Sequence, residues 1–178
     1  MKKVGESGGK WIFIYILASL LRLCKVMATF IGEYYCKVDV KGRIILPMTF
    51  KKQMPSDARD HFIVRKDIFD NCLVLYTLDD WNSQLEKIRK KINPYNRAHN
   101  NFLRNYFKGM AELELDSNNR FLLPRRLLDL IGADREVILA GQEGKIEIWA
   151  AENYHKTDIS GEELANMAED ILGGNSNE

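Results

Sequence analysis

A chain of 178 residues that is 46% hydrophobic and 29% charged, with 26 basic side chains against 25 acidic ones, has the make-up of an ordinary soluble globular protein. That balance excludes disordered and fibrous classes and leaves room for one sizeable core or two small ones. Three cysteines, Cys24, Cys36 and Cys72, are odd in number and share no Cys-x-x-Cys spacing, which fits reduced thiols used for packing.

The net charge of +1 hides an uneven distribution. Lys37, Lys41, Arg43, Lys51 and Lys52 stand against only Asp39, and seven basic residues between Gln84 and Lys108 stand against Glu86. From Lys156 onward six acids oppose one lysine. A basic first half and an acidic end suit an anionic partner plus a solvated tail, with Lys87 to Lys91 as a solvated helix face.

Taken in chain order, residues 1–26 come first and differ from the rest. The apolar run Trp11 to Leu21 holds eleven residues before Arg22 and follows Lys2, Lys3 and Lys10. A spanning helix needs about 20 apolar residues, so this one is too short to cross a membrane. Leu23-Cys24-Lys25-Val26 offers no small-x-small cleavage site. The expectation is a start at Met27, preceded by an overextended reading frame, and no membrane partner.

Tyr34, Cys36 and Val38 alternate with Tyr35, Lys37 and Asp39, the period of a strand with one buried face. Val40-Lys41-Gly42 suits a tight reversal in which Gly42 takes positive φ and the Asp39 carboxylate accepts backbone N–H groups. Ile44 to Leu46 returns as a strand, Pro47 stands where a first helical residue tolerates a missing N–H, and a short helix runs from Met48 to Met54. Strands follow at Phe62 to Arg65 and Leu73 to Tyr76. Helices are expected over Leu78 to Ile92 and Ala98 to Phe107, separated by Asn93-Pro94. Leu85, Ile88 and Ile92 share one helical face, as do Phe102, Leu103, Tyr106 and Phe107, and such stripes serve core or subunit contacts.

The pattern then restarts. Ala111, Leu113 and Leu115 alternate with Glu112, Glu114 and Asp116, Ser117-Asn118-Asn119 makes the reversal, and Phe121 to Leu123, Pro124 and a helix from Arg125 to Ile131 follow, stopped by Gly132. Strands at Glu136 to Ala140 and Lys145 to Trp149 flank the turn Gln142-Glu143-Gly144. A last helix covers Gly161 to Leu172.

Asp39-Val-Lys-Gly-Arg43-Ile-Ile-Leu-Pro47 thus recurs as Asp116-Ser-Asn-Asn-Arg120-Phe-Leu-Leu-Pro124, and Phe30 and Gly32 match Phe107 and Gly109 at the same offset of 77 residues. Downstream the offset falls to 73, pairing Leu73–Tyr76 with Ile146–Trp149 and Trp81 with Tyr154, so the first copy carries about four extra loop residues within Pro55 to Asp70. The chain divides into an extension (1–26), a first repeat (27–81), a helical linker (82–106), a second repeat (107–154) and a C-terminal helix with an acidic tail (155–178).

Strand, Asp-x-x-Gly/Asn-Arg turn, strand, Pro and short helix, present twice, resembles the MraZ family of bacterial transcription regulators over roughly Met27 to Leu172. One copy alone would also suit swapped-hairpin regulators of the AbrB type. The resemblance implies an α+β fold in which two tandem swapped-hairpin AbrB-like units form a small pseudo-two-fold β-barrel with flanking helices. It also implies a cytoplasmic, nucleoid-associated homo-oligomer, in the form of a ring. That ring would bind repeats in the double-stranded promoter DNA of the division and cell-wall gene cluster, mainly as a repressor. The second motif departs by having Asn119 where the first has Gly42, and Asn can hold the same backbone shape.

An arginine held at a hairpin can bridge phosphate oxygens or read guanine in the major groove, and neighbouring lysines add attraction to the backbone. The expected DNA-binding residues are Lys37, Lys41, Arg43, Asn118 and Arg120, with Asp39, Gly42, Asp116 and Asn119 structuring the turns. Arg43 and Arg120 could alternatively only pair with Asp39 and Asp116 to pin the turns. Because Glu112 and Glu114 precede Arg120 whereas Lys37 and Lys41 precede Arg43, the first hairpin is the expected principal contact. An enzyme using Asp39 and Asp116 as an acid/base pair is disfavoured, since both sit in turn contexts and no nucleophile elbow, phosphate-cradling loop or metal-spaced His cluster accompanies them. His61, His99 and His155 are isolated. No cofactor or metal is expected. The remaining alternative is an AbrB-like protein-interaction or antitoxin-type module.

Overall fold

Two tight turns, each built on an Asp and closed by an Arg four residues later, organise the backbone. The computed structural model describes residues 28–55 and 60–173. The readings of residues 1–26 as an extension and of Met27 as a start lie outside them. The first half runs β1 (Glu33–Lys37), β2 (Arg43–Ile45), α1 (Met48–Gln53), β3 (His61–Lys66) and β4 (Leu73–Thr77). Helices α2 (Leu78–Lys91) and α3 (Arg97–Phe107) come between the halves. The second half runs β5 (Ala111–Glu114), β6 (Arg120–Leu122), α4 (Arg125–Ile131), β7 (Glu136–Gln142) and β8 (Lys145–Ala150). Then come α5 (Ala151–Tyr154), a 3₁₀ turn (His155–Thr157) and α6 (Gly161–Leu172).

This is a mixed α+β fold, and all its strand pairs are antiparallel. One sheet has six strands in the order β1-β7-β8-β4-β3-β5, and a two-stranded ribbon pairs β2 with β6. Exchanging each strand of one half for its counterpart in the other reverses the sheet order without changing it. β1 leaves its own half to pair with β7, β5 does the same with β3, and the ribbon takes one strand from each half. Both partner-exchanged edges extend one residue further by equivalent bonds, Val38 N to Arg135 O at 2.8 Å and Leu115 N to Asp60 O at 3.0 Å.

The expected barrel does not close. β1 and β5 are the open edges of the six-stranded sheet, and the ribbon meets β1 through the isolated bridge Val38↔Ile44. Each ribbon strand is three residues long and is followed within two residues by Pro47 or Pro124, which have no N–H to continue a ladder. The ribbon strands also begin at the arginine rather than one residue later, because Asp39 N and Asp116 N donate to the carbonyls of Arg43 and Arg120 at 3.0 and 2.8 Å.

The extra residues of the first half are divided between two loops. The equivalent pairs Lys37↔Glu136 and Glu114↔His61 match His61 with Glu136, an offset of 75 residues. The pairs Phe62↔Thr77 and Val137↔Ala150 match Thr77 with Ala150, an offset of 73. Two residues are therefore added before β3 and two more between β3 and β4, the latter within 67–72.

Core packing follows the alternation. Ile44, Leu46, Phe50, Phe121, Leu123, Leu127 and Leu128 are all fully buried beneath the ribbon and its two following helices. The Phe50 ring meets Tyr34 and Phe30 edge-on at 4.9 and 5.7 Å. Burial of each such side chain contributes about 1.5–3 kcal/mol, which is why three-residue strands suffice. Cys72 is buried and Cys36 half-buried, and burial pushes their thiols up to about 12 and about 11. That suits inert packing groups.

The outlying helices are capped by side chains. Thr77 Oγ1 accepts from Asp80 N at 3.1 Å, Asn96 Oδ1 from Ala98 N at 2.8 Å and Ser160 Oγ from Glu163 N at 3.1 Å. Helix α2 lays Trp81 and Leu85 against Val74 and Tyr76 of β4, and Tyr106 of α3 stacks on Trp81 at 6.0 Å.

Candidate nucleic-acid interface

The two Asp–Arg turns share one hydrogen-bond pattern. Asp39 Oδ1 accepts from Lys41 N at 2.8 Å and Arg43 N at 2.9 Å, while Oδ2 accepts from Arg43 Nε at 2.6 Å. Asp116 Oδ1 accepts from Asn118 N at 2.8 Å and Arg120 N at 3.0 Å, while Oδ2 accepts from Arg120 Nε and Nη2, both at 2.8 Å. The backbone bond to Arg43 is foremost in holding the Asp39 carboxyl down at about 2, and the Arg120 guanidinium does most to lower that of Asp116.

Each turn is completed by a left-handed residue whose carbonyl crosses to the other half. Gly42 sits at φ +85° and Asn119 at φ +57°. Gly42 O accepts from Leu123 N and Asn119 O from Leu46 N, each at 2.9 Å. A Cβ at Gly42 would lie 2.8 Å from Leu123 O, so the first turn has no room for a side chain. At the second turn Lys51 Nζ of α1 donates to Asn119 Oδ1 at 2.5 Å. In the matching place α4 puts Leu128 near Gly42.

The ribbon register decides where the arginines point. Arg43 pairs with Leu122, Ile44 with Phe121 and Ile45 with Arg120. Ile44 and Phe121 are buried, so Arg43, Ile45, Arg120 and Leu122 all lie on the opposite face. The two arginines are diagonal neighbours, roughly 7–8 Å apart by antiparallel geometry. Their side chains keep 32% and 28% of their exposure despite the aspartate contacts. Both terminal nitrogens of Arg43 make no hydrogen bond among the described residues. Pinning by the aspartate and outward presentation are therefore compatible.

The other expected residues are dispersed. Lys41 and Asn118 are exposed at the two turns, which lie at opposite ends of the ribbon. Lys37 is off the ribbon, on β1 opposite Glu136. It lines an open cleft of about 820 Å³ in which Lys37, Arg125 and Arg135 are matched by Asp39, Asp134 and Glu136, so the cleft has no net attraction for an anion. Glu112 and Glu114 likewise lie on β5, in the six-stranded sheet. Three residues on or beside the arginine face escape the sequence reading. Ile45 and Leu122 are 60% and 55% exposed there, and Lys51 arrives from 68 residues away to stand by the second turn. Strict alternation outward from buried Ile44 would have found Ile45, but no local signal marks Lys51.

Of the three histidines, His99 Nδ1 accepts from Asn93 N at 2.9 Å and His155 Nε2 meets the Tyr35 hydroxyl at 2.9 Å. Among the described residues no three His, Cys, Asp or Glu side chains are grouped to hold a metal, and no helix is long and apolar enough to cross a membrane.

Two interlocked strand–turn–strand–helix halves that present their paired turns on one ribbon define a tandem antiparallel α+β protein. The family model described as "MraZ protein, putative antitoxin-like" matches residues 29–105 and again 106–170. Curated relatives named "Transcriptional regulator MraZ" agree. That of Christiangramia forsetii is 34% identical over 148 residues, covering 83% of this chain and 95% of the relative. That of Phocaeicola vulgatus is 37% identical over 83% of this chain and 96% of the relative, and that of Bacteroides fragilis 35% over 82% and 92%. The chain belongs to the MraZ family of transcriptional regulators.

Proposed function

We propose that this protein regulates transcription, chiefly as a repressor, by binding double-stranded promoter DNA sequence-specifically through the outer face of the β2–β6 ribbon. One observation carries the reading: Arg43 and Arg120, 77 positions apart in the chain, stand diagonally on one exposed face with their orientation set by Asp39 and Asp116. A two-stranded ribbon fits the major groove, and a pinned guanidinium fork suits guanine O6 and N7 or a phosphate pair. Lys41 and Asn118 at the turns supply further contacts, with Lys37 more remote. Arg43, whose turn also carries the exposed Lys41, is the leading contact, and Arg120 is the second on the same surface.

The exchange of β1 and β5 between halves supports the swapped-hairpin arrangement of two AbrB-like units, 27–81 and 107–154, joined by the linker 82–106. By the family resemblance the targets are repeated sequences in the promoter of the division and cell-wall gene cluster. The working form is a ring of identical subunits, cytoplasmic and nucleoid-associated. One subunit offers a small basic face, so several faces on several repeats gain affinity through effective concentration.

The test is salt-titrated binding of wild type, Arg43→Ala and Arg120→Ala to the DNA upstream of the protein's own gene. Each substitution is expected to weaken binding by about 1–3 kcal/mol and to flatten the salt dependence where a phosphate contact is lost. Unchanged binding in both variants would refute the assignment. A second reading, a protein-docking module, draws on exposed Ile45 and Leu122 beside the arginines. It predicts no specific affinity for that DNA in any variant.

A further inference from the structure

Helix α6 stands almost wholly in solvent. Eleven of its twelve residues are exposed, Ala168 being the exception, yet Leu164, Met167, Ile171 and Leu172 share the helical spacing of an apolar stripe and are 58%, 47%, 73% and 82% exposed. A twelve-residue helix is marginal alone in water, so this stripe needs a surface to cover it. Its other side carries Glu162, Glu163, Asn166, Glu169 and Asp170 and no basic residue.

A surface of matching character lies on the α2–α3 side of the molecule. A groove of about 230 Å³ opens between α3 and the start of the β3–β4 loop, lined by Phe102, Tyr106 and Ile68 and by Arg65, Lys66 and Lys108 against the single acid Asp67. Phe102 and Ile68 are 44% and 53% exposed, and Phe69 next to them is 90% exposed. Arg65 is 6% exposed, its guanidinium lies 4.6 Å from the Tyr106 ring centre, and its Nε has no hydrogen-bond partner among the described residues. The groove is smaller than the roughly 300–1,000 Å³ of small-molecule sites and suits one or two anchor side chains. Beyond it, α2 and α3 carry exposed Lys87, Arg89, Lys90, Lys91, Arg97 and Arg104.

We propose that α6 of one copy docks on this α3–β3 groove of a second copy, with its aliphatic stripe against Phe102 and Ile68 and its carboxylates toward the basic residues of α2 and α3. The two surfaces are different parts of the chain, so the contact is heterologous and repeats from copy to copy, closing into a ring when the rotation permits. This deepens the assembly part of the proposed function and rests on it, while the arginine face stays outside the contact.

The test uses the full chain and reads mass by sedimentation and light scattering. Wild type should assemble, whereas Ile171→Asp on the helix and Phe102→Asp or Lys108→Glu on the groove should each run as single subunits. An equimolar mixture of the Ile171→Asp and Phe102→Asp variants should then give a heterodimer, because one keeps its groove and the other its helix. Affinity for a DNA with one repeat should be unchanged in all variants, and only affinity for several repeats should fall at least tenfold. A monomeric wild type, assembly unaffected by the substitutions, or a mixture that stays monomeric, as docking of α6 on its own chain would give, would each overturn the proposal. Loss of single-repeat binding on Arg43→Ala alone would speak only to the DNA face.

Discussion

Asp39 and Asp116 do the same job in their two turns. Each carboxylate accepts two backbone N–H groups and a guanidinium, and each is partly open to water. The folded Asp39 carboxyl is depressed from 3.8 to about 2, so its contribution to stability is complete above its ordinary value and is lost as pH falls from there towards about 2. The urea midpoint of the wild type should therefore exceed that of Asp39→Asn by a constant margin above about pH 4, and the margin should shrink below it. A margin that persisted at the acid end would show that the charge is not what holds the turn.

Gly42 and Asn119 differ in tolerance for a physical reason. Gly42→Ala combines a left-handed φ with a contact to Leu123 O and should lower unfolding free energy by about 1–3 kcal/mol. Asn119→Gly keeps the backbone shape and loses the bond from Lys51, so it should change stability by less than about 1 kcal/mol. Chemical denaturation of both variants measures the difference. The sequence shows that Asn can replace Gly here, but only the fold shows the contact with Leu123 O at Gly42 and the bond from Lys51 at Asn119.

At the level of elements, the ribbon separates stability from recognition face by face. Phe121 is fully buried on its inner side, and Phe121→Ala should destabilise by about 3–5 kcal/mol. Ile45→Ser and Leu122→Ser on the outer side should leave the unfolding free energy within about 0.5 kcal/mol of wild type, with any effect confined to binding. A large loss of stability from the outer pair would mean that this face is packed. The elements were legible from period-two and helical spacing, and α4 and α6 keep their expected limits. The ribbon strands shifted by one residue, since the turn closes on the arginine backbone. The divided loop insertion was hidden because only strand register separates the offset of 75 from that of 73.

The whole molecule depends on exchange between its halves. β1 needs β7, β5 needs β3 and β2 needs β6, so neither half holds all its strand partners. A fragment of residues 28–106 expressed alone should be unfolded or a dimer by circular dichroism and sedimentation, and a folded monomer would contradict the interlocked reading. Mixing that fragment with 107–173 should restore a one-to-one complex.

The duplication, the turn chemistry and the amphipathic stripes are local, since they depend on spacing within a few residues and on which side chains tolerate a left-handed backbone or a missing N–H. They suffice to place the chain in its family and to nominate Arg43 and Arg120. Which face those arginines share depends on contacts between distant segments: the partner of β2 is β6, and register across that pair sets Arg43 beside Leu122 and Ile45 beside Arg120. The same long-range pairing leaves the sheet open where a barrel was expected and brings Lys51 to Asn119, because hydrogen bonding between distant strands follows the packing of the entire core and not the residues next door.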